Sequence, residues 1–452
     1  MLEKGKKYIV DIVDIGHGGV GIGKYEGFTV FVEGGLIQDK IKVRIIKSKK
    51  NYAEGEIVKI IEKSPFRVNR KCSDDLIDCG GCQVMHLDYK KQLEIKTNLV
   101  KETIKRIGKI ENVKIHDTIG MNEPFRYRNK AQFPIGKNNN EAVLGFYKKK
   151  SHEIIPTDKC IIQHDVNDKI VKIIKEYINK FRISIYDEKK HEGLLRHLVT
   201  KVGFKTKEVM VVLVANGQDI PHTDELINEL KENIPGFKTL VLNINTRKGN
   251  AILGRENKIL YGYGIIQDYI DDLKFNISPL SFFQVNPIQT EVLYNKALEY
   301  ANLTGNETVF DIYCGIGTIS LFLAKKAKKV YGIEIVEDAI KDAKVNAKMN
   351  NLDNTEFYVG KAEEVVPDLY KERKRANVVV VDPPRKGCDE KVLETIVNMK
   401  PERVVYVSCN PSTLARDLAY LDERGYKCEE IQPVDMFAHT MHVETVVLIE
   451  KK

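Results

Sequence analysis

Between Thr308 and Asn351 the chain reads TVFDIYCGIGTISLFLAKKAKKVYGIEIVEDAIKDAKVNAKMNN. An apolar, β-branched run breaks at a glycine turn. A stretch with helical apolar spacing follows, then a second strand and a second helix. Strands that alternate with helices pair in parallel through helical crossovers, because a tight hairpin cannot join parallel neighbours. NVVVVDPPRKG and RVVYVSCNP add two more buried strands that end in turns. Residues 266–452 are therefore expected to form a doubly wound, Rossmann-like α/β domain with its ligands at the carboxyl ends of the strands.

A chain of 452 residues is too long for one ordinary core. Residues 1–61 read as all-β: KYIVDIVDIG, EGFTVFVEGG, DKIKVRIIKSKK and YAEGEIVKIIEK are strand-like runs between glycine turns. This rhythm suits a small five-stranded OB-like barrel. Gly16-His17-Gly18-Gly19-Val20-Gly21 matches a dinucleotide-binding fingerprint in letters only. KYEGFTVFV follows it and reads as a strand where a helix is required. Residues 62–265 are mixed and make a central α+β domain. It opens on a cysteine cluster, runs into a helix-spaced stretch from Tyr89, and continues with strands such as EVMVVLVANG. In this domain FRYRNKAQFPIG (Phe125–Gly136) interleaves Arg126, Arg128 and Lys130 with aromatics, a mix that serves phosphates and stacked bases or equally a core with a solvated face. Net charge is +8, which suits a polyanionic partner without proving one. No segment approaches the roughly 20 apolar residues of a membrane span, so a cytoplasmic protein is expected.

The turn in FDIYCGIGTISL has Gly315 and Gly317, but Ser320 stands where a dinucleotide site has its third glycine. A pocket of this form suits a ligand without phosphate, and S-adenosylmethionine is such a ligand. Glu334 lies at the end of the next strand, where a carboxylate can take both ribose hydroxyls. Asp382, in DPPR, closes a third strand, and two prolines aim it or its neighbours into the crevice. A methyltransferase fits better than a dehydrogenase.

Cys409 ends a fourth strand just before a helix. A helix N-terminus there is expected to lower its pKa from about 8.5 and enrich the thiolate. Methyl transfer to oxygen or nitrogen needs no cysteine, whereas transfer to a pyrimidine C5 does. Thiolate addition at C6 makes C5 enolate-like, and a base must then remove the C5 proton so that the thiolate can leave. HTMHVETVVL offers Glu444 for that role, with His439 and His442 nearby.

FDIYCGIGTISL, VVVDPPRKG, VYVSCNP and HVETV, in this order and spacing, resemble the RNA uracil-5-methyltransferase family, and the resemblance covers essentially the whole chain. It implies a TRAM barrel at the N-terminus, a class I methyltransferase domain at the C-terminus, Cys409 as nucleophile and Glu444 as base. SFFQVNP also matches, which implies Gln284 as a cofactor contact beside Tyr313, Gly315, Gly317, Glu334 and Asp382, with Asp382 facing the base as well. The family often has Phe at the position of Tyr313 and Asn at that of Thr318.

Cys72, Cys79, Cys82 and Cys160 are four thiols of a kind that binds zinc or an iron–sulfur cluster, and spacing leaves both open. The resemblance implies a four-iron, four-sulfur cluster, since relatives acting on large-subunit ribosomal RNA carry one at matching cysteines. Its role would be structural or RNA-shaping. The expected substrate is uracil in large-subunit ribosomal RNA, because tRNA-directed relatives generally lack both barrel and cysteines, and the chain is expected to be monomeric. The competing readings are uracil methylation in tRNA, cytosine methylation, an iron–sulfur RNA-binding protein with an idle pocket, and a nucleotide-dependent oxidoreductase. Cys314, Cys388 and Cys428 are assigned to packing.

Overall fold

The computed structural model describes residues 2–72, 78–139 and 141–452. Strands β1 (Lys7–Ile15), β2 (Gly21–Tyr25), β3 (Phe28–Val32), β4 (Lys40–Ser48) and β5 (Tyr52–Glu62) close a barrel in the order β1-β2-β3-β5-β4. Alternation along β1 and β4 sends Val10, Ile12, Ile41, Val43 and Ile45 into its core. The stretch read as one strand, KYEGFTVFV, is a hairpin. Glu26 and Gly27 both take positive φ (47° and 80°), the geometry of a tight two-residue turn between β2 and β3. The preceding glycine run has a separate use. A Cβ on Gly19 would lie 2.8 Å from Cβ of Gln83, so this glycine lets the barrel seat directly on the cysteine-bearing loop.

Within residues 62–265, one helix and one short strand pack with the C-terminal unit. Helix α1 (Tyr89–Ile107), capped by Asp88 on the Lys91 N–H (3.1 Å), leaves the central region, and β6 (Lys114–Ile115) pairs with a strand of the C-terminal sheet. The reason is an embedded charge. Lys96, fully buried on α1, donates to Asp435 Oδ1 at 2.6 Å, and Tyr89 Oη donates to Asp435 Oδ2 at 2.7 Å. A buried ammonium is tolerated only with such partners, so the helix follows Asp435.

The central sheet comprises β7 (Lys130–Asn138), β8 (Glu141–Tyr147), β9 (Ile154–Pro156), β10 (Leu195–Val202), β11 (Val209–Ala215), β12 (Phe237–Ile244) and β13 (Glu256–Tyr261), ordered β13-β12-β11-β10-β7-β8-β9. Helices α2 (Val166–Lys180) and α3 (Thr223–Asn233) cover one face, over Leu198, Val211 and Leu213. The other face, with Val199, Val212 and Val214, shares a core with the hairpin β14 (Ile266–Ile270)–β15 (Leu273–Ile277) and the C-terminal domain. Two covered faces explain the unbroken apolar run of β11.

Helix α4 (Pro287–Ala301) leads into the C-terminal unit: β16 (Thr308–Ile312), α5 (Thr318–Ala324), β17 (Lys329–Glu334), α6 (Glu337–Met349), β18 (Thr355–Val359), α7 (Ala362–Lys371), β19 (Val378–Val381), α8 (Glu390–Met399), β20 (Arg403–Ser408), α9 (Pro411–Asp422), β21 (Tyr426–Val434) and β22 (Glu444–Lys451). The eight strands are ordered β18-β17-β16-β19-β20-β22-β21-β6. β16 to β20 are parallel to one another, and β22 runs antiparallel between β20 and β21. Cys314, Cys388 and Cys428 are buried. No helix of the described residues is long and apolar enough to cross a membrane.

Candidate active site

The parallel strands deliver their carboxyl ends to one edge, where a cleft of about 980 Å³ opens toward the central sheet and the cysteine loop. Gln284, Tyr313, Gly315, Glu334, Asp382, Cys409 and Glu444 all line it. Gly317 does not. It takes φ 83°, and a Cβ added there would come within 3.2 Å of Ala343 Cβ and 3.4 Å of the Phe357 ring.

The first turn is built by hydrogen bonds that the motif foreshadows. Gly315 donates its N–H to Glu334 Oε2 (3.2 Å), and Val336 donates to Glu334 Oε1 (3.0 Å), so the carboxylate is oriented by backbone. Tyr313 holds φ 72°, a left-handed conformation that a non-glycine residue keeps only where its surroundings impose it. Ser320, in place of a glycine, donates its hydroxyl to Asp311 Oδ2 at 2.5 Å. Burial still lifts the Asp311 carboxyl to about 7.

Cys409 and Glu444 owe their proximity to sheet register. Ser408 pairs with Thr445 across β20 and β22, which puts Cys409, one step beyond β20, beside Glu444, the first residue of β22. Thr445 Oγ1 also donates to the Ser408 carbonyl at 3.2 Å. The DPPR turn is tied to the same place, because Asn410 Nδ2 donates to the Arg385 carbonyl (3.0 Å). Asn410 caps α9 by accepting from Ser412 N (3.1 Å).

Electrostatics here differ from the sequence expectation. The α9 N-terminus does not lower the Cys409 thiol. Burial and the neighbouring carboxyls of Glu444 and Asp382 raise it to about 11, with Arg385 pulling the other way. Burial, then Asp382, lifts Glu444 to about 8, and burial, then Asp311, lifts Asp382 to about 7. Three acids and a thiol crowded into one partly buried edge do not all stay anionic, so the group holds protons near neutral pH. Arg385, the cation that works against these shifts, sat unassigned inside DPPR. Tyr294, fully buried with Oη 3.0 Å from Thr318 Oγ1, lines the cleft too and carried no sequence signal.

Of the two histidines near Glu444, His442 lines the cleft. His439 is structural: its ring stacks on Phe125 at 4.7 Å between centroids, and its N–H donates to Gln92 Oε1 (3.0 Å). The Phe125–Gly136 stretch divides its labour. Tyr127 and Phe133 are core, Arg126 is spent on the Cys160 and Gln163 carbonyls and Asp168, and Arg128 and Lys130 face the cleft.

Cys72, Cys79, Cys82 and Cys160 meet at the far end of this cleft. Burial raises the Cys82 thiol, and Cys160, Cys72 and Cys79 each add to it, so the four feel one another's charge. Among the described residues no three thiol, imidazole or carboxyl groups converge closely enough for a single metal ion.

A doubly wound sheet ending in this cleft, joined to an RNA-binding type of barrel, defines an RNA methyltransferase. Residues 88–452 match the family described as tRNA (uracil-5-)-methyltransferase and residues 2–58 match the TRAM domain; the chain belongs to that family. It is 56% identical over 448 residues to an RNA methyltransferase of Caldanaerobacter subterraneus subsp. tengcongensis, covering 99% of this chain and 98% of the relative. An RNA methyltransferase of Clostridium tetani is 52% identical over 448 residues, covering 99% and 97%. The crystal structure of Pyrococcus abyssi tRNA (uracil-54, C5)-methyltransferase in complex with S-adenosyl-L-homocysteine superposes with TM-score 0.78 at 31% identity, covering 97% of this chain and 99% of that one. A tRNA-directed enzyme thus aligns over the barrel as well, so the barrel does not separate the two RNA classes.

Proposed function

We propose that the chain methylates C5 of a uracil in RNA with S-adenosylmethionine as donor, and that its substrate is large-subunit ribosomal RNA. The observation that carries the C5 chemistry is the register-fixed pairing of Cys409 with Glu444 on a cleft shared with Gln284, Tyr313, Gly315, Glu334 and Asp382, while the ribosomal substrate rests on the resemblance through Cys72, Cys79, Cys82 and Cys160. When bound, the donor supplies an electrophilic methyl group on sulfonium. Glu334, held by two backbone N–H groups, is oriented for ribose hydroxyls. The Cys409 sulfur adds to C6 once its proton has left for one of the neighbouring carboxylates, and Arg385 steadies the negative charge. After C5 is methylated, Glu444 in its ionised form takes the C5 proton, and the C6–S bond breaks. The target uracil must leave its stack to reach this edge.

Cys72, Cys79, Cys82 and Cys160 are proposed to hold a four-iron, four-sulfur cluster. What supports this is that the four thiols line one cleft and that Cys82 lies within electrostatic reach of the other three. The protein acts as a monomer in this reading. The likeness to the Pyrococcus abyssi enzyme favours a second reading, tRNA as substrate. Incubation of anaerobically purified protein with methyl-labelled S-adenosylmethionine and unmodified transcripts of both RNAs distinguishes them. 5-Methyluridine at a discrete ribosomal position is expected. Label on tRNA alone would replace the substrate, and label on neither would overturn the uracil chemistry.

A further inference from the structure

Residues 278–286 connect β15 to α4 without regular structure, yet they carry Phe282 and Gln284 onto the cleft wall. An irregular segment holds a side chain in place only if its own backbone is anchored. Several of its anchors come from the central sheet and from the residue that leads into β7.

The strongest is Lys201. It sits on β10, 5% exposed, in register with Lys130 of β7. Its ammonium donates to the carbonyls of Ser278 (2.7 Å) and Ser281 (2.9 Å), gripping both ends of one turn. That turn is closed internally, the two serine hydroxyls lying 2.5 Å apart, and Ser281 Oγ donates onward to Asp342 Oδ2 of α6 at 3.0 Å. α6 follows β17, whose last residue is Glu334. A few residues along, Asn129 takes over: its N–H donates to the Val285 carbonyl (2.8 Å) and its Nδ2 to the Gln284 carbonyl (3.0 Å). Asn129 stands between Arg128 and Lys130, both on the cleft wall.

A buried lysine needs a reason. Burial, with Lys130 alongside, draws the Lys201 ammonium down to about 7, and Asp342 acts against the shift. Methionine or leucine would fill the same space without desolvating a charge. What they cannot do is hold two carbonyls of one turn.

We propose that Lys201 is a positioning residue for the cofactor half of the cleft: by pinning the Ser278–Ser281 turn to the central sheet it sets Gln284 and Phe282 against the pocket that ends in Glu334. The proposal rests on the cofactor assignment made above. It makes the binding of a nucleoside with an amino-acid tail depend on a strand whose neighbour, β7, opens with Lys130 on the cleft wall.

The test is calorimetric titration of S-adenosylhomocysteine onto the full-length protein, with RNA affinity measured in parallel. Lys201→Met is expected to weaken S-adenosylhomocysteine about tenfold, as loss of two charge-assisted hydrogen bonds predicts, and to leave RNA affinity within about twofold. Lys201→Arg should recover most of that loss, and the KM for S-adenosylmethionine should move far more than kcat. If Lys201→Met does not fold, Ser281→Ala, which removes the hydroxyl that closes the turn on Ser278 and links it to Asp342, should weaken binding about threefold. Unchanged affinity in the variant that folds, or equal loss of cofactor and RNA binding, overturns the proposal. Wild-type protein that binds no S-adenosylhomocysteine would instead overturn the cofactor assignment beneath it.

Discussion

On one wall of the cleft Cys409, Glu444 and Asp382 share a buried sheet edge, and burial pushes all three toward their neutral forms. Elsewhere on the cleft lining are Arg128, just before β7, Lys130, its first residue, and the four cysteines. The first wall is a proton store whose state follows pH. The second carries the cations Arg128 and Lys130, the latter's pKa drawn down by burial and by Arg128, and its grip on a polyanion would follow salt. Chemistry and recognition are thus governed by different solution variables, although the two sets of residues line the same cleft.

The deepest cut is at the first wall. Cys409→Ala is expected to lower methyl transfer at least about 10³-fold while RNA affinity holds, measured by label incorporation and by anisotropy. Glu444→Gln should leave the addition step intact but strand the thiolate on C6, so a protein–RNA adduct that survives denaturing gels should accumulate. At the second wall, Arg128→Met and Lys130→Met should each weaken RNA binding about tenfold and reduce the slope of log affinity against log salt by about 0.7–0.9, with kcat at saturating RNA unchanged. If either variant instead changes kcat and spares affinity, the division between the walls fails.

The pH response sharpens the contrast. Glu444 must be ionised to take the C5 proton, and the thiolate of Cys409 also accumulates upward. The single-turnover rate should therefore rise with pH through about 8, whereas RNA affinity should stay nearly flat. The same carboxyl affects stability in the opposite direction. Its folded-state pKa is raised, so the stability it contributes is complete at acid pH and is lost as pH climbs through about 8. Glu444→Gln should flatten the fall in melting temperature over that window. The smallest effect lies at the barrel. Gly19→Ala places a methyl group 2.8 Å from Gln83 in a left-handed backbone, and should cost about 1–2 kcal/mol, read as a lower melting temperature with catalysis on the remaining folded protein preserved.

What could be read from the sequence follows physical range. The Gly315–Ser320 turn, the DPPR turn and the strand end at Cys409 are local. Each strand's apolar run and the turn beyond it lie within a dozen residues, so their placement at one edge was legible. The pairing of Cys409 with Glu444 was guessed from adjacency of strands and is fixed by register, which sequence does not display. The electrostatics were misjudged for a long-range reason. Helix α9 is next to Cys409 in the chain, but Asp382 and Glu444, remote in sequence, are what its sulfur meets. Likewise nothing near residue 89 announces that α1 leaves its neighbours, since the partner of Lys96 is Asp435. Tyr294 and Lys201 were invisible for the same cause: a buried polar side chain inside an apolar pattern looks like an exposed one until its partners are known.

That ion pair also bears on how the chain is made. Lys96 and Asp435 are 339 residues apart, and β6 has its strand partner only at residues 430 and 431. During synthesis from the N-terminus, the barrel emerges complete in about its first 62 residues. The helix that follows must then wait for almost the whole polypeptide before its ammonium and apolar stripe find cover. Such an interval exposes sticky surface to other nascent chains and to chaperones. The segment that carries the cysteines is thus strung between a barrel that can close early and a helix whose charged partner, Asp435, is made late.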